Sequence, residues 1–210
     1  MLFLELLYAV FLYAVFGASH SYLAGFQVKQ WVAGRFPAWM PYYRALYNVV
    51  AIVSFFFILS MMPDLDYPVY DLQYPLDLLV LVPQFISLGL LVWTVRYIDV
   101  MEFAGIAQII RHWRHQYRTE TLDEESVLRI KGPYKISRHP IYLFTILFLA
   151  FRPVMDVQYL VFLVSITAYF YIGAFFEEKR LTTIHGSAYM AYQETTPMIF
   201  PGFFSFKRIR

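Results

Sequence analysis

The chain has 210 residues, of which 60% are hydrophobic, 20% aromatic and only 15% charged, with a formal net charge of +2. Soluble domains keep apolar residues near or below half and charged residues near a quarter, so this composition, with its positive mean hydropathy, excludes an ordinary soluble protein and predicts a polytopic protein in a lipid bilayer. The small net charge implies no nucleic-acid partner, and the absence of cysteine excludes disulfides, thiolate metal sites and cysteine nucleophiles.

A crossing takes about 20 apolar residues, and the chain offers spans at about 2–24, 45–62 and 75–97, then two shorter arms at about 140–154 and 157–176. The first lacks a basic start and outruns the roughly 7–15 apolar residues of a signal peptide, so it reads as a retained span. Between the spans, residues 27–44 carry Lys29, Arg35 and Arg44, residues 99–139 carry seven arginines and lysines from Arg111 to Arg138, and the tail carries Lys179, Arg180, Lys207, Arg208 and Arg210. The 63–74 connection instead holds Asp64, Asp66 and Asp71, and the turn between the arms holds only Arg152. Lysine and arginine accumulate on the cytoplasmic side, which predicts an amino terminus outside and a cytoplasmic carboxyl terminus. The expected fold is a single all-α integral membrane domain of five transmembrane helices, three in residues 1–98 and a short helical hairpin in 99–210, with cytoplasmic interfacial helices. Residues 99–139 mix Trp113, Tyr117 and Tyr134 with basic residues, a composition for helices in the headgroup region. There His112 and His115 read as headgroup contacts, and their arginine neighbours make a poor cation site; no metal is expected.

The 36-residue apolar run Ile141–Phe176 is too long for one crossing and long enough for two short ones, so it is expected to double back. Its polar ends then meet at one membrane surface: Arg138 and His139 before it, Glu177 and Glu178 after it. Pro140 suits a first helical position, and a helix starting there aims its free amides and positive dipole end toward His139. The glutamates fall at the expected end of the last helix, where the dipole disfavours acids. Facing Arg138 and His139, they suit the hydroxyls or ammonium of a polar ligand; pairing with Lys179 or Arg180 at the water interface is the structural alternative. His20 is the one histidine on a span. An intramembrane ionisable group is a functional candidate, with an interfacial hydrogen bond as its structural alternative.

Gly132-Pro133-Tyr134, Arg138-His139-Pro140-Ile141-Tyr142, Glu177-Glu178-Lys179-Arg180-Leu181, His185-Gly186, Tyr189, Tyr192, Pro197 and Pro201 resemble the carboxyl-terminal signature of integral-membrane methyltransferases that use S-adenosyl-L-methionine. That superfamily includes isoprenylcysteine carboxyl methyltransferases, phospholipid N-methyltransferases and methanethiol S-methyltransferases. Upstream, His20-Ser21, Lys29, Trp31, Pro37, Met101-Glu102-Phe103-Ala104-Gly105 and Gln108 are most similar to the methanethiol branch.

The resemblance implies an S-adenosyl-L-methionine site on the cytoplasmic side of a bacterial inner membrane. Tyr134, Arg138, His139 and Tyr142 would hold the cofactor from the start of the hairpin and Glu177 and Glu178 from its far end, with Gln108 and the 126–129 strip, including Leu128, closing over it. Isoprenylcysteine enzymes place an arginine one turn before the paired glutamates, where this chain has Gly173. Without that cation, a small or lipophilic neutral acceptor such as a thiol is expected, with carboxyl or phospholipid N-methylation as the alternative. A thiol must lose its proton, and His20 is the candidate base. Two readings from other classes stay open: a nicotinamide-dependent membrane reductase, and a non-catalytic membrane component related to denitrification-associated proteins.

Overall fold

The structure, a computed structural model, describes residues 1–119, 122 and 127–201. In chain order its helices are α1 (Leu2–Ala24), α2 (Phe26–Arg35), α3 (Met40–Ser60), α4 (Leu76–Val95), α5 (Val100–Ala104), α6 (Ile106–Trp113), α7 (Pro140–Ala150), α8 (Val157–His185) and α9 (Ser187–Thr195), with strands β1 (Pro68–Asp71) and β2 (Val154–Asp156). They form two compact units that alternate along the chain: Met1–Leu65 with the segment from Ile98, and Asp66–Tyr97 with the described residues from 127 onward.

In the first unit α1 packs on α3, and α3 on α5 and α6. Asp99 caps α5 by accepting from the Glu102 amide at 2.9 Å. Gly105 then turns the chain into α6 with φ of +86°, and a Cβ there would stand 2.5 Å from the Ala45 nitrogen. Only glycine combines that left-handed backbone with so close an approach. α3 begins at Met40, earlier than the expected 45, because Pro41 is well suited to a first helical turn.

In the second unit α7 lies along α4. The core is Leu143, Phe144 and Ile146 from α7, Ala174 from α8 and Ile199 beyond α9. Gly132, with φ of +61°, leaves room for the Tyr97 ring, which a Cβ would approach to 2.3 Å.

α1, α3, α4 and α8 are long and apolar enough to cross a membrane, and their outward side chains, such as Phe11, Phe56, Phe85 and Val164, are exposed. That inverts the pattern of a soluble protein. The last two spans differ from the expected pair of short arms. α7 has 11 residues, about 16 Å of rise against about 30 Å of hydrocarbon, so it has the composition of a span without the length. α8 has 29 residues and continues past Phe176 to His185, because Glu177 to His185 contains no helix breaker before Gly186 (φ +55°). Glu177 and Glu178 therefore lie about two turns inside the helix, and its negative dipole end falls at His185 instead.

A two-stranded antiparallel ribbon, β1 with β2, is an addition to the all-α expectation. It joins the 63–74 connection to the turn between α7 and α8, where extended segments need partners for their backbone groups. Leu72 donates to the Pro153 carbonyl at 3.0 Å and Val157 to that of Tyr67 at 2.9 Å. The Arg152 guanidinium stands 3.8 Å from the Tyr159 ring centroid.

Candidate functional site

α7 opens at Pro140 with His139 at its N-cap, and this end of the helix meets α8 at Glu177 and Glu178. The contact is an ion pair with defined geometry. Arg138 Nε donates to Glu178 Oε1 at 2.6 Å and Nη2 to Oε2 at 2.8 Å, a bidentate arrangement favoured by the planar guanidinium. The two side chains are only 10% and 11% exposed. Arg138 Nη1 also donates to the carbonyls of Gln193, at 3.1 Å, and Thr196. Gln193 Nε2 donates to Glu178 Oε2 at 3.0 Å. The backbone continues the same fastening: the amides of Arg138 and His139 donate to the carbonyls of Pro197 and Met198 at 2.9 and 3.1 Å. Arg138 and Glu178 thus tie the segment after α9 to the mouth of α7 and spend their hydrogen-bonding capacity on protein partners.

Glu177 differs from its neighbour. Its side chain is 48% exposed, and its Oε2 lies 3.5 Å from His139 Nδ1 and accepts from the Tyr142 hydroxyl at 3.5 Å. These long contacts leave the carboxylate with lone pairs to spare. His139 is buried between the two acids, with Nε2 at 3.3 Å from Glu178 Oε1. Its ring stacks on Tyr142 at 5.3 Å between centroids and 5° between planes, and Tyr142 stacks on Phe170 at 4.4 Å and 7°. Sequence reasoning missed Phe170, the third ring, and also Gln193 and Thr196. Phe170 sits about two turns before Glu177 on α8, a spacing that puts both on one helical face.

Below this rim, Tyr192 donates to the Tyr134 carbonyl, and the fully buried Tyr189 hydroxyl has no hydrogen-bond partner among the described residues. Burial holds the Tyr189 and Tyr192 phenols well above their ordinary pKa. Burial raises Tyr134 as well, with Arg129 opposing the rise and Glu177 adding to it. At neutral pH these hydroxyls keep their protons.

The remaining expected residues are Gln108, His20 and Leu128. Gln108 and His20 belong to the first unit. Gln108 is fully buried there and donates to the Glu102 carbonyl and carboxylate, both at 3.1 Å. The His20 ring is 2.7 Å from the Tyr47 hydroxyl and stacks on Phe16. Leu128 is half-buried in a stretch of the second unit without regular secondary structure, while residue 126 of the expected covering strip lies outside the described residues. Among the described residues no three histidine or acidic side chains are grouped to hold a metal. The half-exposed Glu177 carboxylate is open to a ligand, beside the stacked rings. That set suits a partner bearing positive charge and hydroxyls rather than an anion.

No family model matches the chain, and no solved structure matches it. Curated relatives do. A methanethiol S-methyltransferase of Pseudomonas deceptionensis is 31% identical over 199 residues, covering 94% of this chain and 73% of that protein. One from another Pseudomonas strain is 28% identical over 200 residues, covering 94% and 74%, and one from Crocosphaera subtropica is 27% identical over 203 residues, covering 93% and 74%. With a relative 31% identical over 94% of this chain and 73% of its own length, the chain belongs to the methanethiol S-methyltransferase family.

Proposed function

We propose that this protein transfers a methyl group from S-adenosyl-L-methionine to the sulfur of a small thiol at the cytoplasmic surface of the membrane. The observation that carries this reading is the half-exposed Glu177 carboxylate beside the His139–Tyr142–Phe170 stack. An exposed acidic acceptor next to aromatic rings fits a cofactor that carries positive charge and hydroxyls. The relatives' names supply the acceptor class, and the arginines and lysines between spans supply the side.

When bound, the sulfonium cofactor supplies an activated methyl group and a good leaving group. The protein's part is to bind and orient. Glu177 accepts hydrogen bonds from hydroxyls or an ammonium. Ring faces near a positive charge contribute about 0.5–2 kcal/mol. Tyr134, His139 and Tyr142 shape the start of the site, while the Arg138–Glu178 pair holds the surrounding segments in position. Orientation of two reactants accounts for up to about 7–11 kcal/mol of a barrier, and no protein nucleophile is needed. The acceptor sulfur would take the methyl group that the bound donor supplies, leaving the donor a neutral thioether, and would lose its proton to solvent or to a base. At Gly173 a Cβ would have only the Tyr142 hydroxyl, 4.0 Å away, as a neighbour. The position adds no cation for an acceptor carboxylate, which favours a neutral acceptor over a prenylated acid.

The test is a transfer assay in membranes with labelled S-adenosyl-L-methionine and, as acceptors, methanethiol, longer alkyl thiols, farnesylcysteine and phosphatidylethanolamine. Methanethiol is expected to be labelled best. Glu177→Gln is expected to weaken donor binding at least about tenfold while the protein stays folded, the loss of about one charge-assisted hydrogen bond. Unchanged binding in that variant removes the site assignment, and label on phosphatidylethanolamine or farnesylcysteine alone removes the thiol. His20→Gln tests the base: an unaltered pH profile of transfer rules it out.

A further inference from the structure

The half-exposed Glu177 side chain is held from α7 by two groups, His139 Nδ1 and the Tyr142 hydroxyl, each 3.5 Å from its Oε2. A glutamate with that much exposure loses rotamer freedom when a ligand fixes it, so contacts that fix it beforehand favour binding. Tyr142 is in turn controlled by α8. Its ring lies parallel to Phe170, with 4.4 Å between centroids and 7° between planes. Phe170 and Glu177 are seven residues apart on α8, two turns along one helical face. Gly173 lies between them on that face, and a Cβ there would have the Tyr142 hydroxyl as its nearest neighbour, at 4.0 Å. One stripe of α8 therefore meets Tyr142 at both its ring and its hydroxyl.

Phe170 packs against the core of Leu143, Phe144, Ile146 and Ala174, so it presents a fixed flat wall. A phenol oxygen lies in the plane of its ring, and a wall that sets the Tyr142 plane also sets the path of its hydroxyl. The His139 ring shares that plane to within 5°, at 5.3 Å from Tyr142, and its Nδ1 is the other group at Glu177. Both contacts of the open carboxylate thus come from rings whose orientation is set at Phe170. We propose that Phe170 is a positioning residue for donor binding, which holds the Tyr142 and His139 rings in the plane that fixes the Glu177 carboxylate. This rests on the reading of Glu177 as the donor's acceptor, and Phe170 itself acts only through Tyr142.

The experiment titrates the full chain, purified in detergent, with labelled S-adenosyl-L-methionine, and thermal unfolding checks that each variant is folded. Phe170→Leu keeps an apolar side chain and removes the flat face, and it is expected to raise the donor Kd about three- to tenfold. Phe170→Tyr restores a parallel ring and is expected to bind within about twofold of wild type. In a Glu177→Ala background there is no carboxylate to position, so Phe170→Leu is expected to add less than about twofold, whereas a general packing defect adds its full effect in either background. Phe170→Met carries the same test if Phe170→Leu fails to fold. Donor binding that falls in Glu177→Gln but is unchanged in folded Phe170→Leu overturns the positioning role alone, as does an equal loss with and without the Glu177 carboxylate or a failure of Phe170→Tyr to recover binding. Unchanged binding in Glu177→Gln removes the donor reading of the rim, and the positioning role with it.

Discussion

Adjacent glutamates of α8 are expected to answer the same substitution in opposite ways. Glu178→Gln replaces one carboxylate oxygen by an NH2 group in a position surrounded by donors. Oε1 faces Arg138 Nε at 2.6 Å and His139 Nε2 at 3.3 Å, and Oε2 faces Arg138 Nη2 at 2.8 Å and Gln193 Nε2 at 3.0 Å. Whichever oxygen is replaced, a donor meets donors, and Arg138 keeps a buried positive charge without its counter-charge. Breaking a buried pair from one side costs about 3–5 kcal/mol. For a chain of this size 1 kcal/mol moves the midpoint by about 2–4 °C, so a fall of about 6–20 °C is expected. Glu177→Gln changes a half-exposed group with two 3.5 Å contacts, and its midpoint should move by about 1–2 °C, within the range of surface substitutions. Tryptophan fluorescence during heating of the detergent-solubilised variants measures both. A Glu178→Gln midpoint within about 2 °C of wild type would refute the fastening role, and an equal fall in both variants would refute the division of labour between them.

Tyr192→Phe removes the hydroxyl that donates to the Tyr134 carbonyl and leaves that acceptor unpaired, so denaturant unfolding should show a loss of about 1–2 kcal/mol. Burial keeps the Tyr189 and Tyr192 phenols protonated when folded, whereas an unfolded tyrosine ionises near pH 10. The folded state then binds more protons than the unfolded one above about pH 10, and stability should fall with rising pH there while staying level from these groups below it. A midpoint series from about pH 8 to 11 checks the sign, with the fall reduced in Tyr189→Phe. Gly105→Ala forces a Cβ to 2.5 Å from the Ala45 nitrogen at φ of +86°. The left-handed backbone costs about 1 kcal/mol and the clash about 1–3 kcal/mol more, readable as a lower midpoint. Gly173→Ala meets no atom closer than 4.0 Å and should instead stabilise α8 by about 0.5–1 kcal/mol.

Reading forward from the residues worked best where one local cause dominates. Leu2–Ala24 and Leu76–Val95 are helices over almost the expected stretches because a long apolar run in lipid has to satisfy its backbone internally. Pro140 starts α7 because its ring is compatible only with a first turn. The approach of Arg138 and His139 to Glu177 and Glu178 followed from the length of the apolar run alone. The end of α8 was not legible in the same way, since a drop in hydropathy at Glu177 marks a change of environment and not a helix break. The ribbon between β1 and β2 was hidden because strands of 4 and 3 residues are set by partners distant in sequence.

Composition and pattern by themselves determined that this is a helical membrane protein, where its apolar helices run and which polar residues come near one another, since these depend on hydrophobic burial and backbone satisfaction along a continuous segment. Only the tertiary structure separated Glu178, closed by Arg138 and Gln193, from Glu177, left half open beside a stack of three rings. The two are identical in side chain and consecutive in sequence, but consecutive residues on a helix point about 100° apart. One therefore turns into packed donors and the other stays half exposed.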